Sequence, residues 1–184
     1  SVNSFDDSHN GLSDAFISIM DTNLSSIQAS TFYGGSGDDS GWALLTNENN
    51  ELYLLGSTFS VDVPMAGQPY DSIYNENQDV LMAKFDEDLS SLIASTYLGG
   101  SLADMGFEIF NDDPQNIIIA GKTFSSDFPT AGNPYDDTHN GGTDVFISII
   151  DPDLSEGTIY ISLQPFSEVL CENDSTMFTV QASG

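Results

Sequence analysis

Asp14-Ala15-Phe16-Ile17-Ser18-Ile19-Met20-Asp21 returns as Asp79-Val80-Leu81-Met82-Ala83-Lys84-Phe85-Asp86, and again as Asp144-Val145-Phe146-Ile147-Ser148-Ile149-Ile150-Asp151. The starts at 14, 79 and 144 are 65 residues apart each time. Other blocks keep that offset without a gap. Ser30–Ser36 matches Ser95–Ser101, Gly56–Ser60 matches Gly121–Ser125, and Pro64–Tyr70 matches Pro129–Tyr135. At twice the offset, Asp7–Gly11 matches Asp137–Gly141. A fixed period of this length marks a stacked repeat, in which each unit buries its apolar faces against its neighbours.

Within a unit, four short runs of β-branched and aromatic residues alternate with turn residues, which predicts four strands. They are Ala15–Met20, Ile27–Tyr33 closed by Gly34-Gly35, Trp42–Thr46, and Leu52–Thr58, followed by a loop rich in Pro, Gly and Asn from Val63 to Gln78. Leu52-Tyr53-Leu54-Leu55 and Ile117–Ala120 are apolar on both faces. A half-solvated sheet alternates, whereas a sheet covered on both sides does not. Trp42 and its counterpart Phe107 are therefore expected to pack between neighbouring sheets. Phe85, Leu89, Leu92 and Ile93 fall at helical spacing, but the intervening Asp86, Asp88, Ser90 and Ser91 favour a turn.

The pattern predicts an all-β fold: antiparallel four-stranded β-propeller blades, one per 65-residue unit, over residues 1–160. The chain of 184 residues holds fewer than three such periods. Closed propellers use about four blades or more. The expectation is thus an incomplete propeller, a piece of a longer chain.

Charge narrows the function classes. Lys84 and Lys122 are the only cationic side chains among 29 carboxylates, for a formal net charge of −27. Nucleic acids and anionic lipids need Lys and Arg to displace counterions, so neither is an expected partner. Acidic chains are often disordered, but 39% hydrophobic and 11% aromatic residues gathered in dense runs point to a folded one. No apolar run reaches membrane-spanning length, so no membrane insertion is expected. Ser1–Phe5 has neither the charged nor the apolar region of a signal peptide, as in a mature or internal segment. Cys171 is the single cysteine, so no disulfide forms within the chain.

Laid out this way, the chain resembles the seven-bladed β-propeller (SBBP) repeat family of bacterial secreted proteins. Ser30–Ser36 with Asp39-Ser40-Gly41, Ser95–Ser101 with Asp104-Met105-Gly106, the Asp-Val/Ala-Phe strand and the Phe128-Pro129-Thr130 loop carry the resemblance, which spans about residues 5–156. Asp112-Asp113-Pro114-Gln115-Asn116 departs from the family's usual Asp-x-x-Gly-Asn turn. The tail, from Gln164-Pro165 through Cys171–Ser175 to Phe178–Gly184, resembles the opening strands of an immunoglobulin-like domain of Bacteroidetes surface proteins, which would occupy residues 161–184. These resemblances imply an extracellular or cell-surface, non-catalytic adhesin or scaffold, exported by type IX secretion. Its implied partners are a polysaccharide, another surface protein or the secretion machinery. The alternative is a carbohydrate-binding or hydrolytic propeller with a site in its central channel.

Few residues offer chemistry. Gly34-Gly35-Ser36-Gly37 lacks the Lys of a phosphate loop and reads as turn glycines. His9 and His139 are equivalent, with Tyr74 in the middle copy, and no nucleophile accompanies them in sequence. The suggestive feature is a carboxylate or amide pair at i, i+2 after the first strand: Asp21 and Asn23, Asp86 and Asp88, Asp151 and Asp153. Calcium takes six to eight such oxygens. The other reading is a solvated Asx-turn, since the Gly and distal Glu of a calcium loop are missing.

Overall fold

The computed structural model describes residues 4–132, 134–155 and 160–161. Its strands are β1 (Ala15–Met20), β2 (Ile27–Tyr33), β3 (Asp39–Thr46), β4 (Leu52–Thr58), β5 (Asp79–Phe85), β6 (Leu92–Leu98), β7 (Asp104–Asp113), β8 (Asn116–Thr123), β9 (Asp144–Ile150) and β10 (Tyr160–Ile161). They form three antiparallel sheets: β1-β2, then β3-β4-β5-β6, then β7-β8-β9-β10. The fold is all-β, and the described residues close no ring of sheets.

Each four-stranded sheet is out of phase with the unit read from sequence. It takes its inner hairpin from one unit and its outer hairpin from the next, so β4 pairs with β5 across the long loop, Leu52 opposite Phe85 through to Thr58 opposite Asp79. The chain steps between sheets after the Gly-Gly segments that close β2 and β6.

β3 begins at Asp39 rather than Trp42, because Asp39-Ser40-Gly41 pair with Thr58, Ser57 and Gly56. A bulge between Gly41 and Ala43 then lifts Trp42 out of the ladder. Its ring meets Phe107 of the third sheet edge-on at 6.2 Å, and its indole N–H donates to Ser57 Oγ at 3.1 Å. The pair bridges two sheets from a largely exposed position. Pro114-Gln115 makes a two-residue turn with Asp113 opposite Asn116.

The segment from Phe85 to Ile93 is a hairpin turn, not a helix. Leu89 sits in it at φ 58°, and Leu24 and Leu154 hold the same left-handed conformation at 54° and 53°. That conformation costs an L-residue about 1–2 kcal/mol. Burial of a leucine side chain returns about 1.5–3 kcal/mol. Leu89 and Leu154 are both fully enclosed.

Two apolar clusters hold the sheets together. One, between the first and second sheets, contains Ile17, Tyr33, Leu54, Leu81, Phe85 and Leu89. The other, between the second and third, contains Tyr53, Leu55, Met82, Leu98, Phe146 and Leu154. β5 therefore feeds both, Leu81, Ala83 and Phe85 toward one side and Val80 and Met82 toward the other, which is why β4 and β5 are apolar without alternation.

Candidate functional site

The step from one sheet to the next is built on carboxylates. Asp39, at the start of β3, accepts the Gly35 N–H and the Ser60 hydroxyl on Oδ2, both at 2.7 Å, and the Thr58 hydroxyl on Oδ1. At the next junction Asp104 Oδ2 accepts the Gly100 N–H at 2.7 Å and the Ser125 hydroxyl at 2.8 Å. Asp62 Oδ1 takes the N–H and hydroxyl of Ser36 at 2.8 and 3.0 Å, and Asp127 Oδ1 takes those of Ser101, both at 2.9 Å. The Gly-Gly-Ser motif thus presents a row of N–H groups to acidic side chains rather than to a phosphate.

A third carboxylate closes each cradle. Asp14, Asp79 and Asp144 head β1, β5 and β9, and their Oδ2 atoms accept the N–H of Asn10, Asn75 and Asn140 at 2.7, 2.9 and 2.7 Å. Glycine is required between the acids by space alone. A Cβ on Gly34 would lie 2.7 Å from Asp39 Oδ2 and 2.9 Å from Asp14 Oδ1. One on Gly99 would strike Asp79 Oδ1 and stand 3.0 Å from Asp104 Oδ2. Two carboxylates therefore face each other across a bare backbone at both junctions, with Asp39, Asp79 and Asp104 buried and Asp14 partly buried.

Asp14 Oδ1 and Asp79 Oδ1 meet no donor among the described residues. An unpartnered buried oxygen is costly as an anion, and protonation relieves the cost. Burial pushes Asp79 up to about 7; the Asn75 N–H opposes the rise and the Asp104 charge adds to it. Burial raises Asp104 as well, against the donors Gly100 and Ser125. Asp79 is fully buried, so it acts on the fold and has no surface with which to touch a substrate.

Above this junction the loop between β4 and β5 forms one wall of a groove of about 500 Å³. Tyr70, Asp71, Tyr74, Asn75 and Glu76 face Gly99, Gly100, Ser101 and Asp127 across it. Tyr74 lies against Tyr97 with ring centroids 6.0 Å apart, and the equivalent His9 lies against Phe32 at 6.2 Å. Position 9, 74 or 139 is thus a ring packed over the neighbouring strand in the first two copies, and His139 Nδ1 accepts the Gly141 N–H at 3.3 Å.

Both cations are held in place by the fold. Lys84 is buried, 3.0 Å from Glu51 and 3.7 Å from Asp153 of the third sheet's turn, with its ammonium 5.5 Å from the Tyr53 ring centroid. Burial works against its charge, but the Glu51 and Tyr53 contacts together outweigh it and raise its pKa. Lys122 lies over the rings of Phe107 and Phe124 at 5.6 and 5.5 Å.

The carboxylates singled out in sequence lie on the turns after β1, β5 and β9. Asp21 accepts the Ser25 hydroxyl and N–H at 2.5 and 2.7 Å and the Ser26 hydroxyl at 3.1 Å, which hold its carboxyl down at about 2. Asp86 accepts from the Ser90 hydroxyl and N–H at 2.7 and 2.8 Å and from Ser91 N–H at 3.1 Å. Asp151 accepts from the Asp153 N–H and the Ser155 hydroxyl, both at 3.0 Å. Asn23, Asp88 and Asp153 are exposed, and Asp88 accepts the Ser90 N–H at 3.2 Å. These are Asx-turns whose carboxylate oxygens accept hydrogen bonds within their own loops. No three His, Cys, Asp or Glu side chains gather as a metal centre among the described residues.

Sequence reasoning passed over Asp79 with Asp104 and Asp14 with Asp39, because spacing along the chain does not reveal a pair brought together by sheet stacking. The available signal was the recurrence of Asp at each strand start beside a Gly-Gly pair. Cys171 and the immunoglobulin-like resemblance lie outside the described residues, and no helix among those described is long and apolar enough to cross a membrane. Neither the known family models nor the curated proteins match this chain.

Proposed function

We propose that this chain is a non-catalytic module of an extracellular or cell-surface protein, a run of β-propeller blades of the SBBP type that serves as adhesin or scaffold. The reading extends to export by type IX secretion. One observation carries it: two acidic positions that the repeat preserves, Asp39 with Asp104 and Asp62 with Asp127, each accept backbone N–H groups at the sheet junctions. What the repeat maintains is therefore a rigid stack. With Lys84 and Lys122 held against internal partners, its outer surface is left acidic, suited to a polysaccharide, a surface protein or the secretion machinery.

A second reading, carbohydrate binding, is favoured by the groove beside Tyr70 and Tyr74, where aromatic rings stand next to Asp71, Asn75 and Asp127. A polysaccharide panel incubated with the purified chain tests both readings. The expected result is retention on acid-tolerant neutral glycans with no release of reducing ends, and Tyr74→Ala weakens retention if the groove is the contact. Release of reducing ends would overturn the non-catalytic reading.

A further inference from the structure

We propose that the groove between Tyr74 and Ser101 binds an amino sugar and holds its protonated amine on the carboxylate of Glu76. This assignment rests on the carbohydrate-binding reading of the groove and names the ligand class. Glu76 stands where the other two copies have Gly11 and Gly141. In the first copy Gly11 lies so close to the Gly-Gly-Ser segment that a Cβ there would strike Gly35 O and stand 2.6 Å from Gly37 O. Leu12 and Ser13 then donate their N–H groups to Gly37 O at 3.0 and 3.4 Å. The loop is thereby laid onto the segment it faces.

A glutamate cannot make that approach, because it carries the Cβ for which the first copy has no room. In the middle copy Asn77 instead reaches Ser101 O with its side-chain amide at 2.9 Å. The groove of about 500 Å³ lies between loop and segment there, within the usual size of a ligand site. Glu76 also holds φ 78°, a left-handed conformation that favours glycine, so backbone strain sits at the groove. What the residue supplies is a third carboxylate beside Asp71 and Asp127, and among the described residues no cationic side chain lines the groove. Beneath the floor lies Asp79, fully buried, whose Oδ1 is turned toward Gly99 and meets no donor among the described residues. A cation in the groove is favoured by each of these groups, and a protonated amine brings directed N–H donors to the carboxylates. Tyr70 and Tyr74 add aromatic faces for the sugar ring and its ammonium.

Isothermal titration of the whole chain tests this with a short β-1,4-linked glucosamine oligomer and with the N-acetylated oligomer of the same length. At about 0.15 M salt the Debye length is about 8 Å, which screens charges outside the groove. The free-amine oligomer is expected to bind about tenfold tighter or more than the acetylated one. Glu76→Gln removes that preference and leaves binding of the acetylated form unchanged. Glu76→Gly restores the residue of the other copies and abolishes binding of both forms, with thermal melting showing that both variants stay folded. Equal affinity for the two oligomers overturns the amine assignment but leaves the carbohydrate reading standing, whereas binding of neither overturns both. A preference that survives Glu76→Gln also overturns the proposal, since it would then come from the net charge of −27 and not from the groove. So does a simple alkyl diamine that displaces the free-amine oligomer at equal concentration, because the sugar would then add nothing.

Discussion

The turn after the first strand of each repeat has one backbone and two environments. Leu24, Leu89 and Leu154 share a left-handed φ between 53° and 58°, next to Asx-turns in which Asp21, Asp86 and Asp151 accept the N–H groups of Ser25, Ser90 and Ser155. Leu89 and Leu154 are sealed into the two sheet junctions, and Leu24 projects outward. Local sequence thus dictates the turn in every copy, while its energetic worth is decided by the sheet stacked above it. This is how a quasi-one-dimensional protein distributes stability, unit by unit plus interface by interface.

The sharpest way to break the comparison is to truncate the same side chain twice. Leu89→Ala is expected to cost about 3 kcal/mol, within the range for buried leucines. Leu24→Ala, measured in dilute protein, is expected to change stability by only a few tenths, as exposed substitutions do. Urea denaturation of both variants checks this, and equal losses would show that Leu24 is covered.

The same contrast explains how far the sequence could be read. The bounds of β1, β2 and β4 follow from apolar runs ended by Gly-Gly or Asn-rich turns, because those signals are local. β3 was expected to begin at Trp42, since Asp39-Ser40-Gly41 has no strand character by itself. It becomes strand because Asp39 is paid in hydrogen bonds from Gly35, Thr58 and Ser60, residues that arrive from elsewhere. The phase of the sheets was equally hidden, because β4 meets β5 only across the loop at 59–78. The acidic site followed the same rule. Asp21 with Asn23 and Asp86 with Asp88 were conspicuous by spacing, whereas Asp79 and Asp104 meet only when two sheets stack.

A second experiment makes one junction resemble another. Lys84 and Glu51 in the middle copy correspond to Ile149 and Asn116 in the third. Lys84→Ile alone removes the ion-pair partner of a partly buried Glu51. It is expected to cost about 2 kcal/mol, less than the 3–5 kcal/mol seen when fully buried pairs are broken. Adding Glu51→Asn should recover most of that loss, since replacing both charges is often neutral. A double-mutant cycle by thermal melting reads the coupling, and simple additivity would mean that the two charges do not depend on each other.

The gentlest probe titrates the middle junction. Asp79 is fully buried, with Oδ1 meeting no donor among the described residues, and its carboxyl is raised to about 7 from the ordinary 3.8. The folded protein therefore holds a proton on Asp79 that the unfolded chain releases, so its stabilising contribution is complete below about pH 4 and is lost as pH rises toward 7. The slope is at most about 1.4 kcal/mol per pH unit for one proton. Asp21, Asp86 and Asp136 run the other way, because donors in their own turns depress them. What they contribute is present above the ordinary carboxylate range and lost in acid. Asp79→Asn mimics the protonated acid and keeps an oxygen for the Asn75 N–H, so it should match wild type near pH 4 and exceed it progressively up to pH 8. Melting temperatures across that range, with Gly99 left in place to keep the two acids apposed, decide the matter: parallel curves for the two proteins would mean that Asp79 is ionised in the fold, and that the junction stores a charge rather than a proton.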